Sequence, residues 1–241
     1  MKPQAYIIGV GPGGSDLLTE RARDRIARSQ AVLGWDLDLV PAKGLLAGKE
    51  IYLQNVKNYR EAAYEVAGRF CTMGAQVAIL RIGDPCVSSG LRGLLDIFKD
   101  YEIEIVPGIS SVQIAASLAQ INLDEAVVVT FHESGDIEAR MRFMRDALLR
   151  GRHLFMLSGE ELRPHAAARY LIKEGIDESL PVLVGERLTL PEHKVLRMTL
   201  SGLREIELDW LTVVAVIQPC PKGPMVERRD YAHPVATSQR H

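Results

Sequence analysis

At 241 residues and 47% hydrophobic content, the chain is long enough to bury the core of one large globular domain or two small ones, and no apolar run approaches the length needed to span a bilayer. The formal net charge of −2 argues against a general nucleic-acid binder, which normally carries a basic excess. The three cysteines and six histidines show no metal-ligand spacing. We therefore expect no metal site, no membrane or nucleic-acid partner, and a cytoplasmic protein with reduced thiols.

In the first half of the chain, short apolar runs alternate with helical patterns, which is typical of βα units around a mainly parallel or mixed sheet. Thr19 is a suitable N-cap for a helix that places Leu18, Ala22 and Ile26 on one face. The patterns predict strands near residues 5–9, 31–34, 77–81 and 103–106, and helices near 19–29, 58–73 and 90–99.

The second half follows a helix over residues 110–119, which begins at a serine cap and is placed to bridge two domains. The run Leu211–Ile217 is apolar throughout, so we expect a central strand that is buried on both faces. The stretch Pro219–His241 has no periodicity and is predicted to be an extended tail. The patterns predict strands near residues 126–131, 153–157, 181–185, 194–199 and 211–218, and helices over Glu138–Leu149 and Pro164–Glu174.

Three glycine-bearing turns each follow a predicted strand of the first half. They are Gly9–Asp16, Gly83–Pro85 and Pro107–Ser111. Open α/β sheets bind their ligands at the carboxyl ends of parallel strands, where such turns expose backbone N–H and C=O groups. The three turns together therefore predict a single ligand cleft.

The first turn also fits the dinucleotide-binding template. Gly9, Gly11 and Gly14 match G-x-G-x-x-G after a strand, and Asp36 or Asp38 follows at about the expected distance of some 20 residues. Against this reading, the loop continues to the cap at Thr19, whereas a dinucleotide fold begins its helix inside the glycine motif. A nicotinamide-dependent oxidoreductase, a ligand sensor without turnover and a glycine-rich connection without a ligand stay open as alternatives.

The same turns, taken in order, resemble those of the tetrapyrrole methylases, a family of S-adenosylmethionine-dependent methyltransferases. That family has a strand, a Gly-x-Gly-Pro-Gly turn and a Leu-Thr pair, then a Gly-Asp-Pro loop, a Pro-Gly-x-Ser-Ser helix start, a strand that ends in His, and a late strand and loop that contain Glu. The matching segments are Ile7–Gly13, Leu18-Thr19, Gly83–Pro85, Pro107–Ser111, Val128–His132, and Val184–Leu188 with Pro191-Glu192. The resemblance covers nearly everything except the tail.

The resemblance implies the α/β fold of the class III methyltransferases, with two α/β domains, mainly parallel or mixed sheets and a ligand cleft between them. The domains would be residues 1–112 and 113–218, followed by the tail at 219–241. The implied cofactor is S-adenosyl-L-methionine, with Met156 and Leu157 beside its adenine. The cofactor-binding residues that the resemblance implies are Gly11, Pro12, Gly83, Asp84, Val87, Ser110, Ser111, Met156 and Leu157.

The implied substrate is a polycarboxylate tetrapyrrole. Within the family, the segment after Pro107 is most similar to the branch that methylates carbon-5 of a corrin precursor in cobalamin biosynthesis, and other ring carbons stay open. A net acidic chain must supply cations locally to bind such a polyanion, and we assign His132, Arg21 and Arg140 to the substrate. No catalytic residue is assigned, because the Tyr-Asp-Arg motif of the first-carbon methylases has no Arg equivalent after Asp36.

The resemblance also implies two protein partners. The family usually forms homodimers, so we expect a homodimer here. A decarboxylating carbon-15 methyltransferase, which is fused to the carbon-5 enzyme in some relatives, is expected to be a separate protein.

Overall fold

The computed structural model describes residues 2–87, 90–132 and 136–219. The predicted tail lies outside the described residues, apart from Pro219. In the described ranges, no helix is both long enough and apolar enough to cross a membrane.

The first sheet has five parallel strands in the order β3-β2-β4-β1-β5. Its three middle strands are apolar and almost fully buried because helices cover both faces. The strands are Gln4–Gly9 (β1), Ala31–Trp35 (β2), Glu50–Gln54 (β3), Gln76–Arg81 (β4) and Glu102–Val106 (β5).

Alternate residues of β1 enter two different cores of the first sheet. Ala5 and Ile7 pack with Phe70 of α3 on one face, and Tyr6 and Ile8 pack with α1 on the other. The cap predicted for α1 is confirmed, since Thr19 Oγ1 accepts a hydrogen bond from Ala22 N at 3.1 Å. The helices are Glu20–Arg28 (α1), Asp36–Leu39 (α2), Tyr59–Met73 (α3) and Leu91–Ile97 (α4).

The second sheet is mixed, in the order β6-β7-β10-β8-β9. Only β6 and β7 are parallel, and β10 runs antiparallel to both of its neighbours. As predicted, β10 is central and every one of its residues is buried. The strands are Ala126–Thr130 (β6), His153–Leu157 (β7), Pro181–Glu186 (β8), Lys194–Thr199 (β9) and Thr212–Val216 (β10).

Helix α5 links the third glycine turn of the first half to the second sheet. Ser110 caps it through a reciprocal capping box with Gln113. Its residues Val112 and Ala115 pack against Phe155 on one face of the second sheet, and α6, α7 and α8 cover the other face. The helices are Ser111–Ala119 (α5), Ile137–Leu149 (α6), Pro164–Lys173 (α7) and Leu200–Arg204 (α8).

The sequence patterns did not predict β3, α2 or α8. Strand β3 is an edge strand, and Glu50, Ile51 and Leu53 are exposed, so it lacks a continuous apolar run. Helices α2 and α8 are only 4 and 5 residues long, which is too short for helical periodicity to be visible. The two sheets occupy residues 4–106 and 126–216, and the domain boundaries at 112 and 218 stay a proposal.

Candidate active site

The three glycine turns meet because they follow three adjacent strands, β4, β1 and β5. Gly11 N donates to Gly83 O at 3.2 Å, and Gly83 N donates to Gly11 O at 2.8 Å. A Cβ on Gly108 would lie 2.7 Å from Gly9 Cα and closer still to the Gly83 carbonyl oxygen. Glycine is therefore required at Gly108 and Gly9 because the backbones of the turns touch one another.

Asp84 ties the second turn to the third. Its Oδ2 accepts a hydrogen bond from Gly108 N at 3.0 Å, and its Oδ1 accepts one from Cys86 N at 2.7 Å. A carboxylate that accepts from backbone N–H groups makes stronger hydrogen bonds than a neutral acceptor does. Asp84 thus fixes the relative position of the two loops, and it also lines the cleft that they border.

A cleft of about 570 Å³, open to solvent, lies between these turns and one end of the second sheet. The first half contributes Pro12, Ile82, Gly83, Asp84 and Val87, α5 and its cap contribute Ser110 and Ser111, and the second half contributes His132, Leu157, Gly185, Leu188, Leu211, Thr212 and Val213.

The structure brings seven of the nine residues assigned to the cofactor to this cleft, and the other two lie behind it. Gly11 is behind the lining and pairs with Gly83. Met156 was expected beside the adenine together with Leu157, but its side chain does not line the cleft. The reason is that neighbouring residues of a strand point to opposite faces of the sheet. Leu157 faces the cleft and α5, whereas Met156 packs in the core with α6 and α7.

The three residues assigned to the substrate are not together. His132 lines the cleft, and Arg140 lies close by, since its Nη1 donates to Thr130 O at 3.1 Å. Arg21 is on α1, where its guanidinium lies 3.6 Å from Glu104. The structure therefore does not bring Arg21 into the cleft.

Six residues of the cleft wall were not assigned from the sequence: Ile82, Gly185, Leu188, Leu211, Thr212 and Val213. Gly185 and Leu188 lie in a segment that carried the family resemblance, so a signal for them was present. Leu211–Val213 are the first residues of the apolar run that contains β10. The pattern predicted that they are buried, but it did not indicate that they line a cleft.

Two glycines of the first turn contact the loop between β8 and β9 of the same chain. Gly14 N donates to Thr189 Oγ1 at 3.0 Å, and Gly13 packs against Leu190. One turn of 3-10 helix over Ser15–Leu17 follows Gly14, and the first α-helix does not begin until Glu20, so no α-helix N-terminus meets the glycines. This arrangement lacks the feature by which a dinucleotide fold binds pyrophosphate.

Asp38, one of the two acidic residues that a dinucleotide site could use, is also bound elsewhere. Asp38 is 3% exposed, and its carboxylate accepts from Trp35 N at 2.9 Å and Ile82 N at 2.7 Å. Burial raises the pKa of Asp38, and the buried Arg81 guanidinium at 3.5 Å acts in the opposite direction. Asp38 thus holds the backbone just before Gly83, and its oxygens are not available to a ribose.

The chemistry of the cleft fits S-adenosylmethionine. Of the described residues that line it, none is Lys or Arg, and Asp84 supplies a carboxylate. Leu157, Leu188 and Val213 provide apolar surface, while Ser110 and Ser111 provide hydroxyl groups. Such a lining is suited to a nucleoside that carries a sulfonium cation and is poorly suited to a pyrophosphate.

Comparison with known proteins gives consistent matches over most of the chain. Residues 4–204 match the model of the tetrapyrrole (corrin/porphyrin) methylases. A probable cobalt-precorrin-7 C(5)-methyltransferase of Methanocaldococcus jannaschii is 30% identical over 86% of this chain and 95% of its own length. A cobalt-precorrin-4 C(11)-methyltransferase of the same organism is 25% identical over 84% of this chain and 81% of its own length.

Among solved structures, the cobalamin-biosynthetic precorrin-6Y methylase of Archaeoglobus fulgidus is 26% identical to this chain. The two superimpose with a TM-score of 0.65 over 90% of this chain and 98% of the other. The fold prediction is confirmed by this likeness and by the mixed and parallel sheets described above. The chain belongs to the tetrapyrrole (corrin/porphyrin) methylase family and is an S-adenosylmethionine-dependent carbon methyltransferase that acts on a tetrapyrrole.

Proposed function

We propose that this enzyme methylates carbon-5 of cobalt-precorrin-7, a corrin precursor of cobalamin. The observation that carries the proposal is the 30% identity to the carbon-5 relative over 95% of that protein's length. The carbon-11 relative shares 25% identity over 81% of its length. The likeness to the precorrin-6Y methylase supports the same branch of the family.

In this proposal the cofactor lies between the glycine turns and the apolar end of the second sheet. Asp84, Ser110 and Ser111 would bind its polar groups, and Val87 and Leu157 would contact its nucleoside, while Pro12 and Gly83 shape the backbone around it. When bound, S-adenosylmethionine supplies a methyl group on a positively charged sulfur, which an electron-rich ring carbon can accept. The role of the chain is to orient the two reactants and to keep water away from them.

The substrate would approach the open side of the cleft, where His132 is exposed and Arg140 is near. We include both residues in the substrate site. Arg21 is left out because its guanidinium is directed at Glu104 on the first sheet. A homodimer and a separate decarboxylating carbon-15 methyltransferase complete the proposed set of partners.

Product analysis tests the proposed ring position. The purified chain would be incubated with methyl-labelled S-adenosylmethionine and a defined pool of cobalt-containing corrin precursors, and the product analysed by mass spectrometry and carbon NMR. We expect one added methyl group, on carbon-5 of cobalt-precorrin-7. Methylation of a different carbon would contradict the substrate assignment and leave the family assignment intact.

Calorimetry tests the cofactor site separately from the ring position. S-adenosylhomocysteine is expected to bind, and NAD is expected not to bind. Tight binding of NAD without binding of S-adenosylhomocysteine would contradict the proposed cleft and favour the oxidoreductase alternative.

A further inference from the structure

Trp210 neighbours residues of the cleft lining and was not assigned a function from the sequence. It directly precedes Leu211 and Thr212, which line the cleft. Its ring centroid lies 6.2 Å from that of His132, another lining residue, and the two planes meet at 66° in an edge-to-face contact. Trp210 and His132 therefore form an aromatic pair beside the cleft.

The side chain of Trp210 is accessible to a ligand. Trp210 is 40% exposed, whereas the neighbouring strand β10 is buried throughout. Tryptophan is costly to leave in water because it offers a large apolar area, and its presence at an accessible position is typical of recognition surfaces.

The backbone that carries Trp210 is held firmly. Ser158 Oγ donates to Trp210 O at 2.9 Å, and Thr212 Oγ1 donates to Asp209 O at 2.6 Å. Asp209 is fixed in turn, since its N–H donates to Glu186 Oε1 at 2.8 Å and its carboxylate is bound by Arg187 Nη1 at 3.1 Å. The indole is thus attached to a hydrogen-bonded segment, so the backbone loses little conformational entropy when a ligand packs against it.

We infer that Trp210 is a substrate-specificity residue, whose indole provides an apolar wall against which a conjugated segment of the tetrapyrrole macrocycle lies. The sp2 atoms of such a segment are locally flat and polarisable, so the segment can pack against an aromatic face. The lining of the cleft favours the cofactor at the glycine turns, which leaves the part of the cleft at His132, the residue that Trp210 contacts, for the tetrapyrrole. This inference rests on the proposed function, because it takes the ring to enter the same cleft.

Steady-state kinetics of the full chain test the inference. Trp210→Ala is expected to raise the KM for the methyl-accepting tetrapyrrole about five- to tenfold, the effect of losing one aromatic contact. The KM for S-adenosylmethionine and the dissociation constant of S-adenosylhomocysteine should change less than about twofold, since Trp210 is not among the residues that line the cleft with the glycine turns. Trp210→Phe should retain most of the affinity for the tetrapyrrole, and Trp210→Leu, which keeps apolar bulk without an aromatic face, should lose it.

Phe143→Ala is the matched control. Phe143 is a 55% exposed aromatic residue of α6 in the same half of the chain, and it does not line the cleft. Its replacement should leave both KM values as they are. If Trp210→Ala does not fold, the comparison of Trp210→Phe with Trp210→Leu decides the question.

Two results would overturn the inference. One is an unchanged tetrapyrrole KM in both Trp210→Ala and Trp210→Leu, and the other is a loss of S-adenosylhomocysteine binding as large as the loss for the tetrapyrrole. A wild-type chain that methylates no tetrapyrrole would overturn the proposed function itself, and this inference with it.

Discussion

At the scale of single residues, Asp84 both holds two loops of the cleft in position and offers a carboxylate to a ligand. Its carboxylate binds Gly108 N and Cys86 N and also lines the cleft. We expect Asp84→Ala to weaken binding of S-adenosylhomocysteine about tenfold or more, since hydrogen bonds to a charged group contribute about 1.5–3 kcal/mol. The fall in the thermal midpoint should be small, because Asp84 is only half-buried and water can replace its oxygens.

Calorimetry and thermal unfolding of the same samples separate these two effects. Asp84→Asn keeps one acceptor oxygen, so its affinity for S-adenosylhomocysteine should lie between those of the wild type and Asp84→Ala. Asp100→Ala, which removes an exposed carboxylate outside the cleft, is the control. Unaltered affinity in Asp84→Ala would place the cofactor away from this loop.

His153 gives the chain a pH dependence that is unrelated to the cleft. It is 4% exposed, and its Nδ1 accepts a hydrogen bond from Gln218 N at 3.0 Å, which requires that nitrogen to be unprotonated. Burial lowers the pKa of His153, and the nearby Arg152 acts in the same direction while Glu125 opposes both. Below a pH of about 6.5, the unfolded chain therefore binds a proton that the folded chain resists.

The sign of the effect follows from that difference in protons bound. The free energy of unfolding should decrease as the pH falls below about 6.5, by at most about 1.4 kcal/mol per pH unit for this group. His153→Gln removes the titrating ring, so its stability should depend less on pH between about 7.5 and 5.5. Urea unfolding of both proteins across this range measures the difference, and parallel curves would exclude His153 as the cause.

At the scale of elements, the convergence of β4, β1 and β5 depends on glycine at the backbone contacts. A Cβ at Gly108 would meet only backbone atoms of Gly9 and Gly83, which cannot move aside as a side chain would. We expect Gly108→Ala to cost about 2–3 kcal/mol of stability and to abolish measurable binding of S-adenosylhomocysteine.

Gly93→Ala is the opposite case and serves as the control. Gly93 lies in α4, and a Cβ there would have nothing within 4 Å. The change should raise the free energy of unfolding by about 0.5–1 kcal/mol, because alanine loses less backbone entropy than glycine when the chain folds into a helix. A Gly108→Ala chain as stable as the wild type would show that the turns can separate without cost.

Some parts of the cleft were predictable from the sequence because a local pattern specifies them. The glycine turns follow apolar runs of strand length, and parallel strands bring their carboxyl ends to one edge. The Met156 side chain was not predictable in this way. Strand β7 is buried on both faces, so its sequence carries no alternation that tells the cleft face from the core face.

The cleft wall formed by Leu188, Leu211 and Thr212 depends on tertiary packing. These residues line the same cleft as Gly83, from which each is more than one hundred positions away in sequence, and no local propensity encodes such a contact. The predicted capping of α5 shows the contrast, since Ser110 and Gln113 are close in sequence and their reciprocal hydrogen bonds follow from that spacing.

At the scale of the whole molecule, one hydrogen bond joins the first glycine turn to the loop between β8 and β9. Gly14 N donates to Thr189 Oγ1 across 175 positions of sequence. Thr189 has a φ of +66°, and Arg187 in the same loop has a φ of +50°. Non-glycine residues in the left-handed region are strained by about 1–3 kcal/mol each, and such strain is concentrated at functional sites. The loop is therefore held in an unfavourable conformation that presents the Thr189 hydroxyl to the turn.

Replacing Thr189 tests whether this contact organises the cleft. Thr189→Val keeps the shape and the β-branched strain and removes only the acceptor, so Gly14 N loses its partner. We expect about a fivefold weaker affinity for S-adenosylhomocysteine, equivalent to one hydrogen bond of about 1 kcal/mol, and faster hydrogen exchange at the Gly14 amide. Thr189→Ser retains the hydroxyl and should bind like the wild type. Equal affinity in the Val and Ser variants, with Gly14 exchange unchanged, would mean that this hydrogen bond does not organise the cleft and that other contacts, such as that of Gly13 with Leu190, are sufficient.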